Sequence, residues 1–401
     1  MAIVFVNRFF FPDVSATSQL LTDLCFDLAR QGIAVKVITS RQAIDNPQAR
    51  LPAHESLHGV EVHRVWSPRY GRQNLLGRSL DYLGFYLSSA WCAYGLLGRG
   101  DTLVAKTDPP MLSVVLATVA ALRGARLVNW LQDLFPEVAT ALGLRGFSGL
   151  FAAALKGLRN RSLQQAAMNV VLGRLMAKRL MAEGIPGRQI RVIHNWADGR
   201  QLTPLAVADN PLRREWGLDH HFVIEYSGNM GRAHEFETIL DAAGILREQA
   251  GIRFLFIGGG ALRPAVERGA GQRRLENIVF KPQQARQTLV QSLNLGDVHL
   301  VCLRPELEGL IVPSKFYGIA AIGRACIYVG DPEGEIGQII TASGCGCCIT
   351  PGNPGQLAQA LLHLASDPGL CLEQGRRARA VFEDRFDRRL GVREWARVLA
   401  L

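Results

Sequence analysis

Residues 304–335 decide how this chain is read. They run Arg304-Pro-Glu-Leu-Glu308-Gly-Leu-Ile-Val-Pro313-Ser314-Lys315-Phe-Tyr-Gly-Ile-Ala-Ala-Ile-Gly-Arg324 and close on Gly330-Asp-Pro-Glu333-Gly-Glu335. The run Val298–Leu303 just before them reads as a buried parallel strand. A carboxylate (Glu308), small residues and a Pro-Ser start then lead into a short apolar helix. In open α/β sheets functional groups gather at such carboxyl ends of strands, where helix N-termini can bind anions.

Working outward, the same alternation of strand and helix recurs twice. In the first half, strands are predicted at 2–7, 34–39, 60–66, 102–106, 126–131, 168–172 and 190–194, with helices between them, including a long apolar one around Leu76–Leu97. The pattern restarts at Phe222–Tyr226 and continues through Phe254–Ile257, Ile278–Lys281, Val298–Leu303 and Ala325–Val329. This predicts two Rossmann-like α/β domains, residues 1–200 and 201–385. A terminal helix over 386–401 is placed to pack back on the first. Trp196–Gly217, with Pro204, Pro211 and little periodicity, reads as the hinge.

A chain of 401 residues, 48% hydrophobic and 20% charged, is folded and too long for one core. Met1 leads straight into a strand-like run, so no signal peptide is expected. The eight cysteines are scattered, and several sit inside apolar runs as reduced thiols do. Cys345-Gly-Cys347-Cys348 lacks a second Cys/His pair at zinc spacing, so no metal is expected there. The net charge of +10 calls for an anionic partner. Nucleic acid, anionic lipid and phosphorylated substrates all qualify, but no nucleic-acid-binding module is legible.

Charge and apolar surface concentrate in the first half. Between Val138 and Ala182 lie Arg145, Lys156, Arg159, Arg161, Arg174, Lys178 and Arg179 and no acid, while Phe147, Leu150, Phe151, Ala154, Leu155 and Leu158 recur at helical spacing. That is the composition of an interfacial helix, or of a core-facing helix with a solvated basic side. A second group, Arg64, Arg69, Arg72 and Arg78, precedes the apolar helix that carries Tyr82, Phe85, Tyr86, Trp91 and Tyr94. Burial or surface insertion of that helix is favoured over a span, which would cut the first sheet in two.

In the second half, Ser227-Gly228-Asn229-Met230-Gly231-Arg232 follows the first strand. Glycines let backbone N–H groups approach a phosphate and Arg232 can grip its oxygens, although such turns also arise for packing. Gly258-Gly259-Gly260 is a weak dinucleotide hint that lacks the final glycine of the fingerprint. In the first half, Asp133 ends an apolar strand and reads equally as a helix cap or an acceptor-orienting base. No Ser/His/Asp triad and no Asp-x-Asp motif are present.

Taken together, the Ser227–Arg232 loop, Glu308 with Gly309 and Pro313, and the Pro313-Ser-Lys-Phe-Tyr-Gly318 run resemble the donor segment of the retaining, GT-B-fold glycosyltransferases of family 4. The likeness is strongest to the branch with the Pro-Ser-Lys-Phe-Tyr-Gly signature, found among enzymes that build bacterial surface polysaccharides. The resemblance implies two Rossmann-like domains whose parallel sheets face each other across a cleft. It implies a nucleotide-diphosphate sugar as donor, with no cofactor and no metal needed. A polyprenyl-diphosphate-linked saccharide would be the acceptor, reached by an enzyme peripheral to the cytoplasmic face of the inner membrane and attracted to its anionic surface.

Glu308 matches the first glutamate of the family's Glu-x7-Glu motif and would hold the donor sugar. The second is missing, since Phe316 stands at its spacing, or Gly318 when counted back from Gly323. Glu335 is the chosen replacement at the ribose, ahead of Glu333. The loop residues Gly228, Asn229, Gly231 and Arg232 would take the diphosphate, and Gly258 and Gly259 would flank the nucleotide. The lysine that usually follows the arginine is absent, which leaves Lys281 or Lys315, next to Ser314, as the second cation. Gln132-Asp133 stands where many relatives have His-Asp, and His194-Asn195 resembles the family's crossover into the hinge. Two alternatives share this reading: a non-hydrolysing sugar-nucleotide epimerase of the same fold, and transfer to a soluble small-molecule acceptor.

Overall fold

Short runs of β-branched and aromatic residues form strands that are covered by helices on both faces, which is why so many of them are buried end to end. A computed structural model describes residues 1–42, 50–68, 70, 75–144 and 146–400. These residues divide into two units, Met1–His194 with Gly391–Leu401, and Asn195–Leu390.

The first unit is built from β1 (Ile3–Val6), α1 (Ala16–Arg30), β2 (Val35–Ser40), β3 (His54–Leu57), β4 (Val60–Val65), α2 (Leu75–Leu96), β5 (Thr102–Lys106), α3 (Leu112–Arg123), β6 (Arg126–Trp130), α4 (Glu137–Ala141), α5 (Gly149–Gln165), β7 (Met168–Val171), α6 (Arg174–Ala182) and β8 (Ile190–Val192). Its strands lie in the order β3-β4-β2-β1-β5-β6-β7-β8 and are parallel except β3. Chain order reverses between β1 and β5, where ligands of open α/β sheets collect. Strand β3, polar and edge-lying, forms a hairpin with β4 through His58-Gly59; its His-Glu-Ser-Leu sequence carries no apolar run to announce it.

The second unit comprises α7 (Pro211–Glu215), β9 (Phe222–Ser227), α8 (Glu237–Ile245), β10 (Ile252–Ile257), α9 (Arg263–Gln272), β11 (Ile278–Lys281), α10 (Leu289–Leu293), β12 (Val298–Cys302), α11 (Lys315–Ala321), β13 (Ala325–Val329), α12 (Glu335–Ser343), β14 (Gly346–Ile349), α13 (Pro354–Ser366), α14 (Pro368–Arg385) and the start of α15 (Arg388–Leu399). The order β11-β10-β9-β12-β13-β14 is wholly parallel, and it reverses between β9 and β12. Cys347 and Cys348, part of the conspicuous cysteine cluster, are residues of the edge strand β14.

Two stretches differ from their sequence-based reading. Trp196–Gly217 is folded into the second unit rather than left as a linker: Asn210 caps α7 and donates to Gln291 O at 2.8 Å, and Arg213 donates to Leu295 O at 2.7 Å. In α5, two of the cations proposed to face a membrane, Lys156 and Arg159, are internally paired, whereas Arg161 is exposed. Arg159 is 4% exposed and meets Glu137 at 2.7 Å and Glu183 at 2.6 Å, and Lys156 meets Glu183 at 2.9 Å. Those two acids lie one residue outside each end of the acid-free window, so only the fold reveals the pairing. Arg69, Arg72 and Arg145 lie outside the described residues. Among the described residues no helix is long and apolar enough to cross a membrane.

Within the first unit, the last turns of α15 are held by Trp395, fully buried against Trp130 with ring centroids 4.6 Å apart. Arg126 donates to Val398 O at 2.9 Å, and Arg191 pairs with Glu394.

Candidate active site

In the second unit the chosen residues gather at the carboxyl ends of β9, β10, β12 and β13. The loop after β9 is laced to the loop after β10: Gly228 N donates to Ile257 O at 2.9 Å, Met230 N to Gly259 O at 2.6 Å, and Leu262 N to Met230 O at 2.8 Å. This contact explains two glycines of the triple. A Cβ on Gly258 would stand 2.3 Å from Gly228 O, and one on Gly260 would stand 2.4 Å from Asn229 Oδ1. Both have positive φ, +126° and +128°, where a side chain is strained in any case. Gly259, by contrast, faces open space. The backbone N–H groups of Asn229, Gly231 and Arg232 have no partner among the described residues, and the Arg232 side chain is exposed.

Lys315, the first residue of α11, reaches back under this loop. Its Nζ donates to Tyr226 Oη and sits 3.8 Å from the centre of that ring, with Cε 3.6 Å from where a Gly228 Cβ would be. Tyr226 Oη in turn donates to Asn229 O at 2.8 Å. Burial pulls the Lys315 ammonium down to about 8. Burial, with the nearby Lys315 charge, pulls His234 down to about 3, so that imidazole is neutral and donates from Nδ1 to Cys302 O at 2.8 Å. Lys281 is placed differently: its ammonium lies 4.8 Å from the Trp216 ring, and its carbonyl accepts from Gly258 N at 3.1 Å. Of the two lysines, Lys315 is the one whose ammonium approaches the glycine-rich loop.

Glu308 follows β12 through a short 3-10 turn and is 7% exposed. Tyr328, on β13, donates its hydroxyl to Glu308 Oε1, and Glu335 N, at the start of α12, donates to Oε2 at 3.3 Å. The carboxyl fits there because residue 334 is glycine: a Cβ at that position would stand 2.2 Å from Oε1. Burial raises the Glu308 carboxyl to about 7, although both hydrogen bonds act to lower it. Glu335 is buried beside Glu308, whereas Glu333 is exposed. Phe316, at the spacing of the missing glutamate, is fully buried, and Ser314 is exposed at the start of α11.

The comparisons with known proteins meet this geometry. Residues 17–196 match a glycosyl transferase 4-like domain, and residues 221–367 match the glycosyl transferases group 1 domain. A protein of Escherichia coli K12 named as a colanic acid biosynthesis glycosyl transferase, WcaI, is 30% identical over 353 residues, 85% of this chain and 86% of its own. The chain belongs to the family 4 glycosyltransferases. A Pseudomonas aeruginosa protein named as a glycosyltransferase, WbjE, is 28% identical over 300 residues, 73% of each chain. The fold is GT-B: Anabaena HepE, solved with UDP and with UDP-glucose, superposes with TM-scores of 0.74 and 0.73 over the whole of this chain and 100% and 99% of its own, at 16% and 17% identity.

The first unit of this glycosyltransferase places a polar group at the ends of β1, β5 and β6. Arg8 N donates to Asp108 O at 2.7 Å across the point where strand order reverses. Asp133 accepts from the Thr107 hydroxyl, while its Oδ1 is buried without a hydrogen-bond partner among the described residues. Burial raises the Asp133 carboxyl to about 6, a value suited to taking a proton near neutrality. Lys106 is 2% exposed, donates to Thr17 O at 2.5 Å and lies 3.8 Å from the Trp130 ring; burial lowers it to about 7. Sequence reasoning missed Tyr226, Tyr328, His234 and Lys106. Tyr226 and Tyr328 lie on strands as ordinary apolar-run residues, His234 stands in the loop between β9 and α8, and Lys106 reads as the polar end of a strand.

Proposed function

We propose that this glycosyltransferase moves a sugar, with retention of anomeric configuration, from a nucleotide-diphosphate sugar to a polyprenyl-diphosphate-linked saccharide at the cytoplasmic face of the inner membrane, in the assembly of a bacterial surface polysaccharide. The observation that carries the donor half is the meeting of unengaged loop N–H groups, Lys315 and Glu308 at the reversal point of one sheet. The N–H groups of Asn229, Gly231 and Arg232, with the Arg232 guanidinium and the Lys315 ammonium, would receive the diphosphate. Their fixed charges stabilise it most as it departs, when its negative charge is greatest. Glu308, held from behind by Tyr328 and the Glu335 N–H, would fix the sugar hydroxyls beside the reacting carbon. Glu335 is assigned to the ribose.

Retention would follow a front-face path. The acceptor oxygen bonds to the anomeric carbon on the face from which the diphosphate leaves, and a departing phosphate oxygen takes the acceptor proton. Asp133, with one oxygen unpartnered, would orient the acceptor. WcaI is named for colanic acid biosynthesis and HepE is solved with UDP-glucose, both of which support substrates of these classes.

The test is a thermal-stabilisation screen of nucleotide sugars, followed by transfer to a synthetic polyprenyl-diphosphate saccharide and NMR of the new linkage. One donor should stabilise the protein and yield a product of the donor's own anomeric configuration. An inverted product would overturn the mechanism, and donor conversion without any acceptor would favour the epimerase.

A further inference from the structure

We infer that the outer face of α2 is the surface by which this protein docks on an anionic lipid bilayer. The inference deepens the membrane part of the reading above, and its test requires neither donor nor acceptor.

Helix α2 is apolar on both sides. Its inner stripe, with Phe85 and Ala93, is fully buried in the core of the first unit. Its outer stripe is Leu80, Leu83, Leu87, Trp91 and Tyr94, at helical spacings of three and four, and these are 48%, 51%, 64%, 82% and 46% exposed. An ordinary surface helix presents charge on its outer face, and this one presents leucine and aromatic rings over about 21 Å of helix. Trp66, 67% exposed, extends the stripe sideways: its ring lies 3.4 Å from where a Gly84 Cβ would be, and Ser88 donates to its carbonyl at 2.6 Å.

Charge says what covers the stripe. The one acid of α2, Asp81, is turned inward and buried, where it accepts from Tyr70 N at 2.9 Å. The cations remain at the margins. Arg78 stacks on Tyr82 near one end, Arg123 stacks on Tyr94 at the other, and Arg99 is exposed just beyond. At one edge Glu61 is exposed but paired with Lys36 at 3.2 Å. An apolar stripe of leucine, tryptophan and tyrosine with an arginine rim, its own acid Asp81 buried and Asp101 beyond it held by the Ala2 and Gly98 N–H groups, matches the headgroup boundary of an anionic membrane, where aromatic rings and cations both settle. On α5 two of the three cations, Lys156 and Arg159, are already paired with glutamates, which leaves Arg161 alone to supply such attraction there. The docking face is therefore α2, which the sequence offered only as a second choice.

The experiment is flotation of the full chain with vesicles of phosphatidylcholine alone and of phosphatidylcholine mixed with phosphatidylglycerol. Wild type should float with the anionic vesicles at low salt, and should be released as salt is raised. Leu87→Glu and Trp91→Glu, at positions too exposed to disturb the core, should each lose at least about tenfold in partition, and Arg99→Glu should lose a smaller part. Lys156→Gln, at a paired site on α5, should float as wild type does. Wild type that ignores anionic vesicles at low salt overturns the inference, as does full binding by Trp91→Glu. A dimer in sedimentation that Trp91→Glu dissolves, without vesicle binding by wild type, would instead make the face a contact between copies and also overturn it. Transfer to a water-soluble acceptor analogue is measured alongside: if it fails in wild type while flotation succeeds, the reaction proposed above is wrong and the docking face stands.

Discussion

At the residue scale, Glu308 combines burial, a raised carboxyl and two donors, and each has a measurable consequence. Between its ordinary value of 4.5 and about 7 the folded state holds a proton that the unfolded chain has lost, so this group lowers stability as pH rises through that window. Glu308→Gln should therefore be more stable than wild type by roughly 2–3 kcal/mol at pH 8 and by much less at pH 4.5, as chemical denaturation at the two pH values would reveal. The same change should lower transfer by about a hundredfold or more, and near wild-type turnover would remove Glu308 from the site. Tyr328→Phe takes away a hydrogen bond that favours the charged carboxylate, so the acid limb of the pH–rate profile should move to higher pH. A purely structural tyrosine would leave that limb where it is. Lys315 works in the opposite sense: nucleoside diphosphate affinity should fall as pH rises through about 8, and in Lys315→Met that dependence should vanish from calorimetric titrations.

At the scale of elements, a pattern of residue types on one helix does not say which of its charges are available. Arg159 would be counted as a surface cation from its sequence, yet two glutamates from α4 and the end of α6 close on it. Breaking a buried pair of this kind leaves carboxylates partly uncompensated, so Arg159→Ala should cost about 3 kcal/mol and the exposed Arg161→Ala almost nothing. Melting curves of the two variants decide it, and equal stabilities would mean that the pairing is energetically idle. The glycine-rich loops make the same point in reverse. Gly258 and Gly260 are needed because one loop lies against the other, and a sequence scan had weighed them only as nucleotide contacts.

At the scale of the whole molecule, the chain returns at its end to the unit in which it began, with Trp395 against Trp130. Truncating a fully buried tryptophan leaves a large cavity, so Trp395→Ala should destabilise the first unit by about 3–5 kcal/mol while Asn195–Leu390 keeps its own melting transition in calorimetry. A single unshifted transition would contradict this. The α/β class, the two largely parallel sheets and the glycine-rich turns were legible because they rest on local signals: apolar runs of strand length, helical periodicity, and glycine or proline at turns. Glu308, Arg232 and Lys315 were offered by the resemblance of their surrounding motifs to the family's donor segment, which is also a local signal. What the sequence could not contain was any relation set by packing between distant segments. The choice of Lys315 over Lys281 beside the loop, the Tyr328 hydroxyl on Glu308, the glutamates that pair with Lys156 and Arg159 and the outward stripe of α2 all depend on how segments far apart in the chain pack. Local propensity encodes which elements form, and only the packing of those elements decides which side chains meet, which charges are cancelled and which apolar faces are left for another surface to cover.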